Sequence, residues 1–358
     1  MEIGLSTLLV ILTGLLHLGS GDTDPNDAAV LRSMLNQWEN APPTWGQSDD
    51  PCGTPWEGVS CDSTRVTALR LSTMGIKGTL NGDVGQLTQL QSLDLSYNGG
   101  LSGPLSASIG NLKQLTTFIL AGCSFSGSIP QELGNLKLLS FFSIIVLQII
   151  NRESIEISRA LNSNKFSGRI PASLGLLSNL YWLDLADNQL TGSLPISTNS
   201  TPGLDLLVAT KHFHFNKNQL SGEIPEQLFS SQMTLIHILF DSNQFTGSIP
   251  TSLGLVKSLE VLRLDNNNLG GLVPSNINNL TSINELNLAN NELTGSLPDL
   301  TGMNNLNYVD LSNNSFSPSE APGWFTTIES LTALVIESGV FSQIPEGCSA
   351  CLNCNKCY

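Results

Sequence analysis

The sequence predicts an α/β solenoid, a horseshoe of stacked repeats with a parallel sheet on its concave face. Three observations predict it. The pattern L-x-x-L-x-L-x-x-N-x-L-x-G-x-I-P-x-x-L-x-x-L recurs along most of the chain. Its asparagines, Asn164, Asn188, Asn218, Asn243, Asn267, Asn291 and Asn314, are spaced by 23 to 25 residues, with one step of 30 between Asn188 and Asn218. Aromatic residues are only 6% of the chain, which suits a core of many small, near-identical layers rather than one large core.

Each part of the repeat has a physical task. In L-x-x-L-x-L the leucines face inward from a short strand, and the residues between them face the other way. The asparagine turns the chain, and its amide can satisfy backbone groups that the turn leaves unpaired. The L-x-G-x-I-P half returns along the opposite side, with glycine where the backbone bends and proline where no donor is needed. One repeat cannot bury its leucines alone, so the repeats must stack.

The N-terminal segment supplies an end to the stack. Ala28, Leu31, Leu35 and Trp38 recur at helical spacing behind Asp27, which is placed as the helix cap. Before it, the apolar run Ile3 to Leu16 followed by Gly19, Ser20 and Gly21 reads as a signal peptide. The run is shorter than a membrane span usually needs, although its start carries Glu2 and no basic residue. Secretion implies oxidised cysteines and glycans, and sequons stand at Asn199, Asn279 and Asn313. The net charge of −15 leaves nothing to neutralise phosphates, which excludes nucleic acid as a partner.

The L-x-G-x-I-P half-repeat identifies the chain as resembling the plant-specific leucine-rich repeat proteins. The stretch "DPNDAAVLRSMLNQWENAPPTWGQSDDPCGTPWEGVSC" resembles their N-terminal cap, and that likeness implies a disulfide between Cys52 and Cys61. The long fifth repeat, "TKHFHFNKNQLSGEIPEQLFSSQMTL" and the "PWEGVSC" cap are similar to the ectodomains of subclass VIII receptor-like serine/threonine kinases. The resemblance covers roughly Asp24 to Ser338. It implies a domain order of signal peptide (1–21), cap (22–65) and about 10–11 repeats (66–338), then a cysteine-rich tail (339–358) outside the family pattern. Family members continue into a membrane helix and a kinase. This chain carries no glycine-rich phosphate loop, V-A-I-K, H-R-D or D-F-G, so kinase activity is not carried over to it.

Two segments break the pattern. Cys123 to Asn164 is 41 residues, 17 more than an ordinary step of 24. Removing 144–160 restores a normal repeat, so that segment reads as an insertion that cuts a core strand. It is taken more readily as translated intron sequence than as a small helix over the concave edge, because its isoleucines break the consistency of the other repeats. In the tail, Cys348, Cys351, Cys354 and Cys357 recur every three residues. An iron–sulfur site is disfavoured by spacing and compartment, which leaves two disulfides of open connectivity, or a tail that is not native structure.

Counting back from Asn218 orients the histidines. Phe213 and Phe215 take leucine slots and face the core, while His212 and His214 face the concave solvent side. The same count gives a first outward row of Phe141, Trp182, His212, His237, Val261, Glu285 and Tyr308. The second is Ser143, Asp184, His214, Leu239, Arg263, Asn287 and Asp310. An exposed tryptophan among three histidines, an arginine and carboxylates has the composition of a binding patch. The candidate ligand residues are Trp182, Asp184, His212, His214, His237 and Arg263. No metal or other cofactor is assigned, because no carboxylate is placed beside the three histidines in a known ligand geometry. Clustered imidazoles are expected to titrate near pH 6, which would make recognition pH-sensitive in an acidic wall. Cys123 takes an asparagine slot and reads as a buried structural thiol, since nothing basic flanks it.

The chain is therefore read as the extracellular recognition module of a plant receptor-like kinase, at the plasma membrane or in the apoplast. Its partner would be a peptide, a wall fragment or a co-receptor kinase, with signalling by a kinase absent from this chain. Two other readings stay open: a free inhibitor of a wall-degrading enzyme, which would use the same face, and a redox sensor built on the cysteine tail. No catalytic constellation is evident in the repeats, because Asp184 and Asp310 are too many strands apart to act together.

Overall fold

A computed structural model describes residues 22–54, 56–144, 164–317 and 322–336. The leader, most of the insertion and the four tail cysteines lie outside these residues. The described chain is built from two parallel sheets that run the length of a solenoid. The sheet that carries the outward rows has twelve strands, from Val59–Asp62 to Ala333–Val335. Its first pair is antiparallel and every later pair is parallel. The second sheet has eleven strands and is made by the L-x-G-x-I half of each repeat. Short 3-10 turns such as Gln131–Asn135 and Thr251–Leu255 join the two.

The leucine slots form one continuous core between the sheets, from Val30 and Leu31 to Leu334 and Ile336. Phe213, Phe215, Phe240 and Phe245 fill four of these slots with no exposed surface. They stack in sequence, with centroids 5.1 Å apart between Phe215 and Phe240 and 5.8 Å between Phe240 and Phe245.

The ladder asparagine does more than turn its own chain. Asn243 accepts a hydrogen bond at Oδ1 from Leu220 N in the preceding repeat, at 3.0 Å. Its Nδ2 donates to Phe215 O of that repeat at 3.0 Å and to Phe240 O of its own at 3.1 Å. Asn188, Asn218, Asn267, Asn291 and Asn314 accept in the same way from Phe166, Leu190, Phe245, Leu269 and Leu293. Each asparagine therefore ties two layers together. The residue before it sits in the left-handed region, at φ 57° for Ser242 and 55° for Asn266. Asn98 plays the part as well, accepting from Ile76 N at 3.0 Å. Cys123 takes the same slot but offers only its thiol, which donates to Leu95 O at 3.2 Å. Burial pushes that thiol up to about 12, so it is un-ionised and inert, as the sequence reading has it.

The cap departs from expectation at one residue. The helix runs Pro25–Gln37 and its N-cap is Asp24, whose side chain accepts from Asn26 N and Asp27 N. Asp27 is instead fully buried. It takes a two-pronged ion pair from Arg65, at 2.9 and 3.1 Å, and a third bond from Val66 N at 2.9 Å. The proline at Pro25 explains the shift, since its fixed φ and missing donor suit the first helical position. Cys52 and Cys61 form the expected disulfide.

The insertion boundary also moves. Ile144, counted as its first residue, is fully buried in the core slot after Phe142 and bonds from its backbone N to Asp184 O at 3.1 Å. Asn164 closes the repeat normally, donating to Leu120 O and Ile144 O at 2.8 and 2.9 Å. The strand Phe141–Ser143 pairs with both neighbours, so it is not cut.

Asn243→Ala removes one acceptor and three donor contacts from a buried site. The substitution is expected to destabilise the chain by about 2–4 kcal/mol, because several backbone groups lose their partner at once. Asn243→Asp, which keeps the acceptor but loses the donors, should be nearly as damaging. Chemical denaturation of the two variants checks both values.

Candidate functional site on the concave face

Strand pairing confirms both outward rows. Trp182 lies opposite Phe141 on one side and His212 on the other, and His212 lies opposite His237. Asp184 lies between Ser143 and His214, and Leu239 leads on to Arg263. Trp182, Asp184, His212, His214 and His237 therefore come together on three adjacent strands, with Arg263 on the next.

These residues are less exposed than the alternation alone predicts. Asp184, His212 and His214 are buried, with 1, 6 and 9% of their surface exposed, while Trp182, His237 and Arg263 are half-buried. Large outward side chains on neighbouring strands cover one another. The Trp182 and His212 rings lie 3.8 Å apart, Phe141 stacks on Trp182 at 5.5 Å, and Tyr181 leans over His212 at 5.6 Å. His237 meets His212 edge-on at 4.6 Å and lies nearly parallel to His214 at 5.7 Å.

For His212 this packing overturns the expected charging in mild acid. Burial pushes His212 down to about 3, helped by the positive charge that His237 and His214 would carry beside it. Burial also lowers His237. A mildly acidic wall therefore leaves the His212 ring neutral.

The sequence reading names Asp184 for this face but places no carboxylate beside the three histidines; the structure puts Asp184 there. Asp184 Oδ2 is 3.4 Å from His214 Nδ1 and 3.5 Å from Trp182 Nε1, while its Oδ1 accepts from Ala186 N at 3.2 Å. Three-residue strands bring Trp182, Asp184 and His214 within reach, because partners across a parallel pair sit side by side.

Next to the histidines lies a cavity of about 400 Å³ lined by Asp241, Arg263, Asp265, Glu285, Asn287 and Tyr308. Arg263 grips Glu285 with both prongs, at 2.6 and 3.1 Å. Asp241 and Asp265 belong to a third outward row, just before each turn, which the two-row count missed. The signal was present in the repeated L-D-x-N of "LFDSN" and "LDNNN". Burial raises both carboxyls, and the negative charge of Asp265 adds to the effect on Asp241, which reaches about 6. Tyr308 is pushed up to about 12 by burial and by Asp310 beside it. The cavity is acidic on balance and suits a cationic or donor-rich group. Elsewhere, Asn199, Asn279 and Asn313 are all exposed.

Comparison with known proteins bears on this face. Residues 24–62 match the leucine rich repeat N-terminal domain, and residues 114–136, 179–200, 258–280 and 282–303 match the leucine rich repeat. These matches take in the cap and four of the repeats. This leucine-rich repeat chain is 50% identical over 337 residues to a probable leucine-rich repeat receptor-like protein kinase of Arabidopsis thaliana. That match takes in 94% of the chain and 34% of the relative. The chain spans about a third of that relative's length. Among solved structures it is similar to the ectodomain of the receptor kinase GASSHO1/SCHENGEN3 of Arabidopsis thaliana, in complex with CASPARIAN STRIP INTEGRITY FACTOR 2. The TM-score is 0.72 at 32% identity, over 87% of this chain and 35% of that one. It is also similar to the ectodomain of the Arabidopsis receptor kinase HAESA in complex with an IDA peptide hormone. There the TM-score is 0.69 at 29% identity, over 88% of this chain and 49% of that one.

The raised carboxyl sets a sign for stability. A group whose folded value lies above its unfolded value stabilises most when protonated, and the stabilisation is lost as pH rises through about 6. Asp241→Asn should therefore stabilise the fold by about 1–3 kcal/mol near pH 7 and change little below about pH 4. Denaturation midpoints of the two proteins across this range check the expectation.

Proposed function

We propose that the chain is the extracellular ligand-recognition module of a plant receptor-like kinase of subclass VIII, acting at the outer face of the plasma membrane or in the apoplast. One observation carries the reading. Two unlike recognition surfaces, the aromatic and imidazole cluster around Trp182 and the acidic cavity around Arg263, lie side by side on one rigid sheet. A repeat needs neither of them for its core. Together they offer an apolar platform and a charged pocket at a fixed separation, which suits an extended peptide carrying an aromatic or aliphatic anchor and a basic group. Neighbouring ectodomains titled as complexes with peptide hormones support the same class of ligand. One is titled as a complex with the co-receptor SERK1, which supports a co-receptor kinase as second partner. The cap disulfide supports an oxidising compartment, and the exposed sequons are proposed to carry glycans.

Binding on a preformed face would leave the fold unchanged, and signalling would come from a kinase outside the residues given. Among the described residues no helix is long and apolar enough to cross a membrane.

The test is differential capture. The secreted chain and its Trp182→Ala and Asp265→Asn variants are incubated with apoplastic peptides, and enriched peptides are synthesised and titrated one at a time. A cognate peptide should lose about thirty-fold or more in affinity on Trp182→Ala, as expected of a central aromatic anchor. A peptide bound equally by all three proteins argues against this face. Inhibition of a polygalacturonase that is lost on Trp182→Ala would instead establish the inhibitor reading.

A further inference from the structure

The histidine cluster has a property that peptide recognition does not require. His212, His214 and His237 each offer one ring nitrogen such that the three atoms lie within 4.8 Å of one another. Among the described residues this is the one group of three or more His, Cys, Asp or Glu side chains so arranged. Two of the imidazoles also carry buried nitrogens with no hydrogen-bond partner, Nδ1 of His212 and Nε2 of His214. Both residues are buried, with 6% of His212 and 9% of His214 exposed. Burying a polar atom without a partner costs free energy, and a repeat surface has no structural need for it.

The second nitrogen of His214 is accounted for. Its Nδ1 faces Asp184 Oδ2 at 3.4 Å, and Asp184 is held in turn by Ala186 N and Trp182 Nε1. A carboxylate on one imidazole nitrogen places the proton there and leaves the lone pair on the other. This is the arrangement that orients histidines bound to metal ions. The tilted rings of Trp182 and Tyr181 also pack against His212, at 3.8 and 5.6 Å.

We propose that His212, His214 and His237 form a binding site for one divalent first-row transition ion, with Asp184 as the positioning residue for His214. Three imidazoles suit zinc or copper and disfavour calcium and magnesium, which take oxygen ligands. Bonds of about 2.1 Å in a tetrahedral site need ligand nitrogens about 3.4 Å apart. Side-chain rotation of the half-buried His237 is the movement that draws the three together. The set supplies three ligands, so a fourth position faces the concave groove. That position is available to water or to a donor atom of a bound ligand. The site lies beside the proposed peptide face but does not depend on it, since the ion is tested alone.

The experiment uses the full secreted chain, stripped with a chelator and titrated separately with zinc, copper and calcium salts. Its controls are His237→Gln, the double variant His212→Gln/His214→Gln, and Asp184→Asn. The tail cysteines are the same in every protein, so differences among them report the cluster alone. Wild type should bind one equivalent of zinc or copper to the cluster and none of calcium, with a copper resonance split by imidazole nitrogen. His237→Gln should weaken binding about a hundred-fold, and Asp184→Asn about ten-fold, as loss of an outer partner does. Zinc should raise the melting temperature of wild type and leave that of His237→Gln unchanged. If the double variant fails to fold, His237→Gln decides, because its side chain is half exposed. Equal binding by wild type and His237→Gln, no binding by wild type, or a copper spectrum without nitrogen splitting each overturns the site.

Discussion

The structure depends on the hydrogen bonds of the asparagine ladder. A strand of three residues cannot hold a sheet position by its own backbone bonds. Each repeat is pinned because the next one sends an asparagine amide back into its turn, as Asn243 does to Leu220 N and Phe215 O. The amide matches the turn because it has an acceptor and two donors on one planar group. Strand register, the alternation of faces and the placement of every outward side chain follow from that contact. Where Cys123 replaces asparagine, the slot keeps a donor to Leu95 O but loses the acceptor, and stacked Phe118 and Phe142 fill the core beside it.

Most of the fold was legible for this reason. The asparagine marks phase as well as period, so counting back from Asn218 placed Phe213 and Phe215 inside and His212 and His214 outside. The misses have local causes. Asp27 looked like a helix cap because it precedes an amphipathic run, yet Pro25 moves the start and the charge is needed against Arg65, 38 residues on. Ile144 looked like part of an insertion because Leu161 restores the motif equally well on paper. Sequence alone could not choose which residue takes the slot.

Which residues share the outward rows was legible, but not their environment. Alternation tells which side of a sheet a residue faces, not how much water reaches it. Whether His212 is solvated depends on the sizes of Phe141, Trp182, Tyr181 and His237, which are properties of several repeats together. Burial then reverses the electrostatic expectation. The His212 imidazole, expected to charge in mild acid, is held neutral. The Asp241 carboxylate, unremarked in the sequence, becomes the group that responds to mild acid.

The unequal covering of the concave face also bears on how such a protein changes over evolutionary time. Outward slots over most of the solenoid rest on a backbone stabilised by leucines and asparagines elsewhere, so new side chains there can be tried at little cost to folding. Around Asp184, His212 and His214 the outward residues are themselves packed and mutually constrained. Substitution there must be coordinated across three strands. One sheet thus carries a freely variable surface beside a conservative one, and a new ligand preference would be acquired first on the strands that follow His237.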